Sequence, residues 1–187
     1  MIVQHKSKLG ENMKKVNNWI LTYTGIHLSF DDFSESMINI EDIAHALAMT
    51  VRFNGHCSRF YSVAEHSYIV SHLVDPEYAL EGLLHDASEA YLGDVAKPLK
   101  NLLPDYQEIE ERFEKVIAKK FNLTYPWPKT VKDMDGRILA DEAIELHPTY
   151  KNDWGIGEPL DVSIVGYSPN DAKELFLNRY YKLIEKS

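Results

Sequence analysis

Apolar side chains recur every three or four residues over most of the chain, which is the spacing of amphipathic helices. A first helix is predicted where one face collects Ile40, Ile43, Ala44, Leu47 and Val51. A second is predicted to begin after Ser62, because Ser62 and Glu65 have the spacing of a capping box. Asp75-Pro76 marks a third, since proline is favoured at the first position of a helix.

The second half of the chain predicts three further helices and one long loop. The helices begin near Asp105, near Lys129 and after Ser168, and each carries apolar residues along one face. Residues 148–167 are rich in glycine, proline and aspartate, which predicts a long loop. The sequence at 162–167 leaves room in that loop for one short strand.

The remaining patterned segment, residues 19–30, alternates enough to predict a short hairpin or extended segment. A chain of 187 residues with 44% hydrophobic residues is long enough to bury one substantial core. We therefore expect a polar N-terminal extension at 1–16 and a single domain at 17–187. The expected fold is an all-α bundle of about six helices with a short N-terminal extended or hairpin segment.

The charge balance argues against a nucleic-acid polymer as ligand. The chain has 20 lysines and arginines against 29 aspartates and glutamates, a net charge of −9. DNA, RNA or an anionic membrane would favour the opposite sign, whereas a small phosphorylated ligand needs only a few local cations. We find no apolar run of about 18 residues and no signal-peptide pattern, so no membrane span is expected. The single cysteine, Cys57, fits a reducing compartment, and the predicted location is cytoplasmic.

Polar residues that face the core suggest a metal site. His66 lies on the apolar face of the second helix, which by itself also fits a histidine bonded to a backbone carbonyl. Asp135 lies on the apolar face of the fifth helix, and a carboxylate facing the core is rarer and more costly. His85 and Asp86 interrupt another apolar helical pattern. Two neutral nitrogens and two carboxylates suit one divalent metal ion, with positions left open for water and substrate.

The order of these residues resembles that of the HD-domain phosphohydrolases. The segment SVAEHS (62–67) resembles the one that carries the first metal histidine of bacterial 5′-deoxyribonucleotidases, and HDASEAYLGDVAKPLK (85–100) resembles their central stretch. VKDMD (131–135) resembles the segment ending in their last metal aspartate, and VRFNGH (51–56) extends the match. The resemblance covers most of residues 40–140 and is strongest to short bacterial and phage proteins, including phage dATP triphosphohydrolases. It implies an HD-domain helical bundle.

The resemblance implies one divalent metal ion. Its ligands would be His66, His85, Asp86 and Asp135. The chemistry of this set admits Zn, Co, Mn or Fe. Asp141 is an alternative to Asp135 as the last ligand, but the VK-x-x-D context and the helical face favour Asp135.

Five further residues match positions that contact substrate or water in this family. Arg52 matches an arginine that holds the substrate phosphate, Phe53 stands where relatives often carry tryptophan against the sugar and base, and Lys100 matches a phosphate-binding lysine. Glu89 matches the carboxylate that orients or deprotonates the attacking water, and Asp94 the one near the sugar hydroxyl. Arg52 and Lys100 could instead be solvated surface cations, and Glu89 could orient a metal-binding imidazole.

The leading hypothesis is a metal-dependent phosphohydrolase of deoxyribonucleoside 5′-phosphates. A dNTP such as dATP is the expected substrate, with release of triphosphate or of successive phosphates. The first alternative is a 5′-deoxyribonucleotidase that acts on monophosphates; others are an HD hydrolase of a cyclic dinucleotide or a guanosine-tetraphosphate alarmone, and a non-catalytic binding module. The expected partner is a small-molecule deoxynucleotide, with no nucleic-acid polymer and no membrane, and the resemblance implies a homo-oligomer.

Overall fold

The structure is a computed structural model that describes residues 18–151 and 154–185. The polar extension predicted at 1–16 lies outside these described residues. The described chain begins with an antiparallel hairpin of two strands, β1 (Trp19–Leu21) and β2 (His27–Ser29). The short hairpin predicted near the N-terminus is therefore confirmed.

Eight α-helices follow in the described part of the chain, and the predicted all-α class is confirmed. They are α1 (Ile40–Met49), α2 (Val63–Leu73), α3 (Ala79–Leu84), α4 (Glu89–Leu92), α5 (Lys97–Lys100), α6 (Pro104–Phe121), α7 (Lys129–Leu146) and α8 (Pro169–Ile184). Single 3₁₀ turns lie at Glu35–Met37, Arg52–Gly55 and Pro76–Tyr78. The two helices beyond the predicted six are α4 and α5, each of 4 residues. No helix among the described residues has the length and apolar character needed to cross a bilayer.

Capping side chains explain where three of the helices begin. Asn39, Ser62 and Ser168 each accept a hydrogen bond from an amide in the first turn of α1, α2 and α8. The helix starts predicted after Ser62 and Ser168 are therefore confirmed. The capping box is only half formed, because the Glu65 carboxylate accepts hydrogen bonds from the amides of 165–167 instead of closing back on Ser62.

Two apolar clusters form the core. The larger one joins the hairpin to α1, α3, α6 and α8, and includes Leu28, Ile43, Leu84, Phe113 and Phe176. The smaller one joins α2, α7 and the loop before α8, and includes Tyr61, Val70, Val131, Ile138, Leu146 and Ile164. Full burial of one leucine or phenylalanine side chain contributes about 1.5–3 kcal/mol, so the apolar faces read from the sequence supply the packing that holds the helices together.

The loop between α7 and α8 has no strand at 162–167, so the short strand predicted there is wrong. Its backbone amides donate hydrogen bonds to carboxylates of two helices instead. Asp141 on α7 accepts two of them at 2.8 and 2.7 Å, and Glu65 on α2 accepts three more. These hydrogen bonds attach the loop to α2 and α7, the two helices that carry candidate metal ligands.

Candidate metal centre

Three elements bring the predicted ligands together. His66 comes from α2, His85 from the turn after α3, and Asp135 from α7, and one ligand atom of each lies within 4.8 Å of the others. The Asp135 Oδ1 atom is 3.2 Å from His66 Nε2 and 3.7 Å from His85 Nε2. Both imidazoles are buried, whereas the Asp135 side chain is 45% exposed. These groups could hold a metal ion that is reached from one side.

Asp86 completes the predicted set from the tight turn between α3 and α4. Its Oδ2 atom lies 3.3 Å from His85 Nε2 and 3.6 Å from His66 Nε2. The His85-Asp86 pair therefore lies between two short helices and not within one helix as its sequence pattern suggested. The backbone there closes with short-range bonds, such as Ala87 N–H to the Leu84 carbonyl at 3.0 Å.

The hydrogen bonds of the two histidines leave the Nε2 atoms free for a metal. His85 Nδ1 donates to the Gly82 carbonyl at 2.9 Å, and His66 Nδ1 donates to Glu142 Oε1 at 2.7 Å. Burial alone would raise the pKa of Glu142, but Arg52 and His66 lower it to about 2, so this carboxylate is an acceptor. Within the described part of the chain, neither buried Nε2 atom has a hydrogen-bond partner. This is the arrangement that orients imidazole ligands in metal sites.

The electrostatics favour positive charge at the centre of the cluster. Burial alone would lower the pKa of the His85 imidazole, but Asp86 and Asp135 outweigh it and hold that pKa well above its usual value. Burial would raise the pKa of Asp135, yet the facing imidazoles of His66 and His85 keep it well below the usual range. A bound cation would take the place of the protons that this arrangement otherwise attracts.

Asp141, the alternative to Asp135, has a different use. Its two carboxylate oxygens accept hydrogen bonds from the amides of Leu160 and Val162, as part of the attachment of the loop before α8. The buried Asp141 side chain is thus engaged away from the histidines, and the geometry favours Asp135 as the ligand.

Arg52 lies beside the cluster with its side chain only 14% exposed, so it is not a solvated surface cation. An isolated antiparallel bridge between Val51 and Ser62 draws the chain back on itself, and Arg52 N–H donates to the Tyr61 carbonyl at 2.9 Å. The Arg52 guanidinium donates to Glu142 Oε2 at 3.0 Å and lies 3.8 Å from Asp86 Oδ2. Its planar donors therefore face the cluster, where an anionic group of a ligand would meet them.

Glu142 links the histidine and the arginine, and sequence reasoning missed this role. The fully buried carboxylate accepts hydrogen bonds from His66 Nδ1 and from the Tyr61 hydroxyl through Oε1, and from Arg52 through Oε2. The available signal was its place on the same apolar face of α7 as Asp135. Its partners could not be identified without knowing how the helices pack.

Glu89 and Asp94 supply further acid groups beside the cluster. Burial, together with Asp86 and Asp94, raises the pKa of Glu89 well above its usual value. Burial also raises the pKa of Asp94. His85 Nδ1 donates to the Gly82 carbonyl, so the hydrogen bond that orients this imidazole in the structure comes from Gly82 and not from Glu89.

Lys100 lies beside Glu89 but has a closer partner. Its Nζ atom is 4.0 Å from Glu89 Oε1 and 2.6 Å from Glu110 Oε1. The Lys100 side chain is partly buried and paired with Glu110, so it is not a free surface cation. Glu110 is a second residue that the sequence did not single out.

Phe53 begins a row of aromatic rings beside Arg52. Both Phe53 and Asn54 have left-handed backbone conformations, with φ of 54° and 52°, which are uncommon for residues with bulky side chains. The Phe53 ring lies 5.4 Å from the Arg52 guanidinium and meets the His147 ring edge-on at 4.7 Å. His147 contacts Trp154 at 5.0 Å, so the row runs outward into the loop before α8. The sequence offered no partner for His147.

Comparison with known proteins places this site in a family context. No family model matches the chain. It is 38% identical over 172 residues to the uncharacterized protein YfdR of Escherichia coli, covering 90% of this chain and 97% of YfdR. An uncharacterized protein of Rhodobacter capsulatus is 30% identical over 187 aligned residues, covering 89% of this chain and 95% of that protein.

A more distantly related protein is named for an enzymatic activity. A 5′-deoxynucleotidase of Yersinia pestis is 30% identical over 132 residues, which cover 70% of this chain and 56% of that enzyme. The aligned part therefore spans little more than half of the Yersinia protein. The chain belongs to the same family as YfdR and its Rhodobacter relative, and its similarity to the 5′-deoxynucleotidases supports an HD-type phosphohydrolase family.

Proposed function

We propose that this protein is a divalent-metal-dependent phosphohydrolase of deoxyribonucleoside 5′-phosphates. The observation that carries the proposal is the convergence of two buried Nε2 atoms, those of His66 and His85, with the carboxylates of Asp135 and Asp86. Neither Nε2 atom has a hydrogen-bond partner among the residues that the structure describes. Orphaned polar atoms inside a protein are rare, and carboxylates at this distance match a metal-ligand set. Nucleotidase names among the relatives support the choice of reaction.

The residues around the ligands suit attack of water on a phosphate. A divalent ion bound there would lower the pKa of a water molecule and polarise a phosphoryl oxygen. Glu89, whose pKa is raised by burial, would take the proton from the attacking water and pass it to the departing oxygen. Arg52 and Lys100 would contact the phosphate oxygens and offset the charge that develops as the leaving oxygen departs. Asp94 would accept a hydrogen bond from the sugar hydroxyl.

The pairing of the two cations favours a monophosphate substrate over the dNTP expected from sequence. Arg52 is bonded to Glu142, and Lys100 to Glu110, so much of their charge is already balanced. Little unbalanced positive charge is then left for a polyphosphate tail, which carries more negative charge than a single phosphate. The dATP triphosphohydrolase remains the second candidate on the sequence resemblance.

The aromatic row would bind the base. Phe53 lies next to the phosphate-binding Arg52, and His147 and Trp154 continue outward from it. Aromatic rings offer stacking surfaces that any nucleobase can use. The sugar would then lie between the row and Asp94, with the phosphate at Arg52.

A substrate screen tests the proposal. The protein would be incubated with deoxy- and ribonucleoside mono- and triphosphates, a cyclic dinucleotide, guanosine tetraphosphate and a DNA oligomer, each with Mn, Co, Zn or Fe, and products separated by chromatography. We expect deoxynucleoside and phosphate from monophosphates, and an intact oligomer. Triphosphate release from dATP would support the second candidate, and no turnover under any condition would contradict the proposal. Light scattering tests the homo-oligomer.

A further inference from the structure

The segment from Gly93 to Lys100 carries two of the proposed site residues on a stretch with little structure of its own. Asp94 follows Gly93, whose backbone has a φ of 80° that favours glycine, and Lys100 ends the short helix α5. Residues 93–96 have no regular secondary structure. The positions of Asp94 and Lys100 must therefore be set by a neighbouring element.

Three side chains of α6 contact this segment at both of its ends. The Tyr106 hydroxyl donates to the Gly93 carbonyl at 3.1 Å, and Gln107 Nε2 donates to the Lys100 carbonyl at 2.6 Å. The third contact is the ion pair from Lys100 Nζ to Glu110 Oε1 at 2.6 Å. We call Tyr106, Gln107 and Glu110 the α6 face.

The spacing of these residues explains how one helix can make all three contacts. Tyr106 and Gln107 lie four and three positions before Glu110, so all three occupy the same side of α6. The Glu110 side chain is only 13% exposed. An ion pair with so little contact with water is held more firmly than one on the surface, because solvent screens it less.

The contacts place the Lys100 ammonium between two carboxylates. Its Nζ atom lies 2.6 Å from Glu110 Oε1 and 4.0 Å from Glu89 Oε1, while the Tyr106 ring centroid is 5.8 Å away. Glu110 holds the ammonium at hydrogen-bond distance, and Glu89 does not. Glu110 thus decides how far the lysine approaches the proposed base.

We propose that the α6 face positions Lys100 for the substrate phosphate, and that Glu110 is the positioning residue that keeps this lysine from closing on Glu89. The inference rests on the proposed function, because it takes Lys100 as a phosphate contact and Glu89 as the base. Glu110 does not touch substrate and acts only through Lys100. Without the Glu110 charge, Glu89 becomes the nearest carboxylate to the ammonium, and the two would pair directly.

Kinetics of Glu110→Gln test this role. Pairing of Lys100 with Glu89 would withdraw the lysine from the phosphate and weaken the base, so KM should rise and kcat should fall, each by about 10-fold, the effect of losing one charge-assisted hydrogen bond. In the pH dependence of kcat, the acidic limb should move to lower pH, because the nearby Lys100 ammonium favours the ionised form of Glu89. Glu110→Asp keeps the charge and should restore part of both parameters.

Glu114→Gln is the matched control. Glu114 lies one turn further along α6, and its carboxylate accepts hydrogen bonds from Tyr125 Oη at 3.0 Å and from Trp127 Nε1 at 3.2 Å. The change removes the same charge from the same helix and also disturbs part-buried hydrogen bonds. We expect KM, kcat and the acidic limb to stay at wild-type values in this variant.

A measurement without substrate separates this inference from the proposed function. The ammonium resonance of Lys100, assigned with Lys100→Arg in ¹⁵N-labelled protein, reports its pKa directly. Burial alone would lower the pKa of Lys100, but the hydrogen bond to Glu110 raises it. The Lys100 resonance should shift in Glu110→Gln, because the carboxylate nearest to the ammonium changes, and should stay at its wild-type position in Glu114→Gln. If the Lys100 resonance has the same position in Glu110→Gln as in Glu114→Gln, the inference is overturned, whether or not the wild-type protein hydrolyses nucleotides. If the resonance shifts as expected but no nucleotide is hydrolysed, only the proposed function is overturned.

Discussion

The Glu142 carboxylate accepts a hydrogen bond from His66 Nδ1 at 2.7 Å, and both side chains are completely buried. The same carboxylate accepts from Arg52 at 3.0 Å. One buried anion therefore fixes the orientation of a candidate metal ligand and of a candidate phosphate contact. A change at Glu142 should affect metal binding and substrate binding together, which distinguishes it from a residue that serves only one of them.

We expect Glu142→Gln to lower the affinity for Mn or Co by about 10- to 100-fold, since loss of such a partner weakens metal binding by that amount. KM for a deoxynucleotide should rise in the same variant because Arg52 loses its charged partner. Tyr61→Phe is the control, since it removes only the hydroxyl bond to Glu142 and should cost about 1 kcal/mol of stability with metal affinity retained. Calorimetric metal titration measures the metal affinity of both variants. Equal metal affinity in Glu142→Gln and wild type would contradict the prediction.

Asp135→Ala should abolish hydrolysis and reduce bound metal while the protein stays folded, because this side chain is half exposed and its partners are the two histidines. Asp141→Ala should do the reverse, lowering thermal stability because two loop amides lose their acceptor, with metal content close to wild type. Metal analysis by mass spectrometry and thermal unfolding measure the two effects. A fully active Asp135→Ala beside an inactive, metal-free Asp141→Ala would show that the wrong aspartate was assigned.

Glu89 should control the acidic limb of the pH–rate profile. Burial, then Asp86 and Asp94, raise its pKa, and a base acts only when ionised, so kcat should fall as pH drops through a value above the usual glutamate pKa of about 4.3. Asp94→Asn removes a like charge and should move that limb to lower pH at the same saturating metal concentration.

Glu89→Gln should lower kcat by roughly 10²–10⁴ with substrate still bound. A near-normal kcat would leave Glu89 with a structural role.

The candidate ligands could be predicted because each breaks an apolar pattern. His66 and Asp135 lie on helical faces that otherwise hold core residues, where a polar group is costly without a compensating charge. The structure buries His66 completely and leaves the Asp135 side chain 45% exposed. The structure brings the two side chains together, with His66 Nε2 at 3.2 Å from Asp135 Oδ1. Periodicity and residue chemistry indicated the candidates, and the resemblance to the HD-domain phosphohydrolases favoured Asp135 over Asp141.

The supporting residues could not be predicted, because their partners are distant in sequence or depend on the course of a loop. Glu142 reads as an ordinary glutamate of an amphipathic helix until Arg52 is placed beside it. Glu110 has the same polar pattern as the exposed glutamates of α6. The failed strand at 162–167 has the same origin, since Asp141 and Glu65 satisfy its amides from other elements.

Trp154→Ala should raise KM for deoxynucleotides by about 10-fold, since stacking of a base on an aromatic ring contributes about 1–3 kcal/mol. Trp19→Ala is a matched control, because both tryptophans contact a histidine ring and are similarly exposed, at 45% and 40%. Trp19 lies in the hairpin, away from the row of Phe53, His147 and Trp154. Deoxyribose 5-phosphate, which has no base, should give the same KM with wild type and Trp154→Ala. A rise for this sugar phosphate equal to that for the nucleotide would mean that Trp154 supports the site without contacting the base.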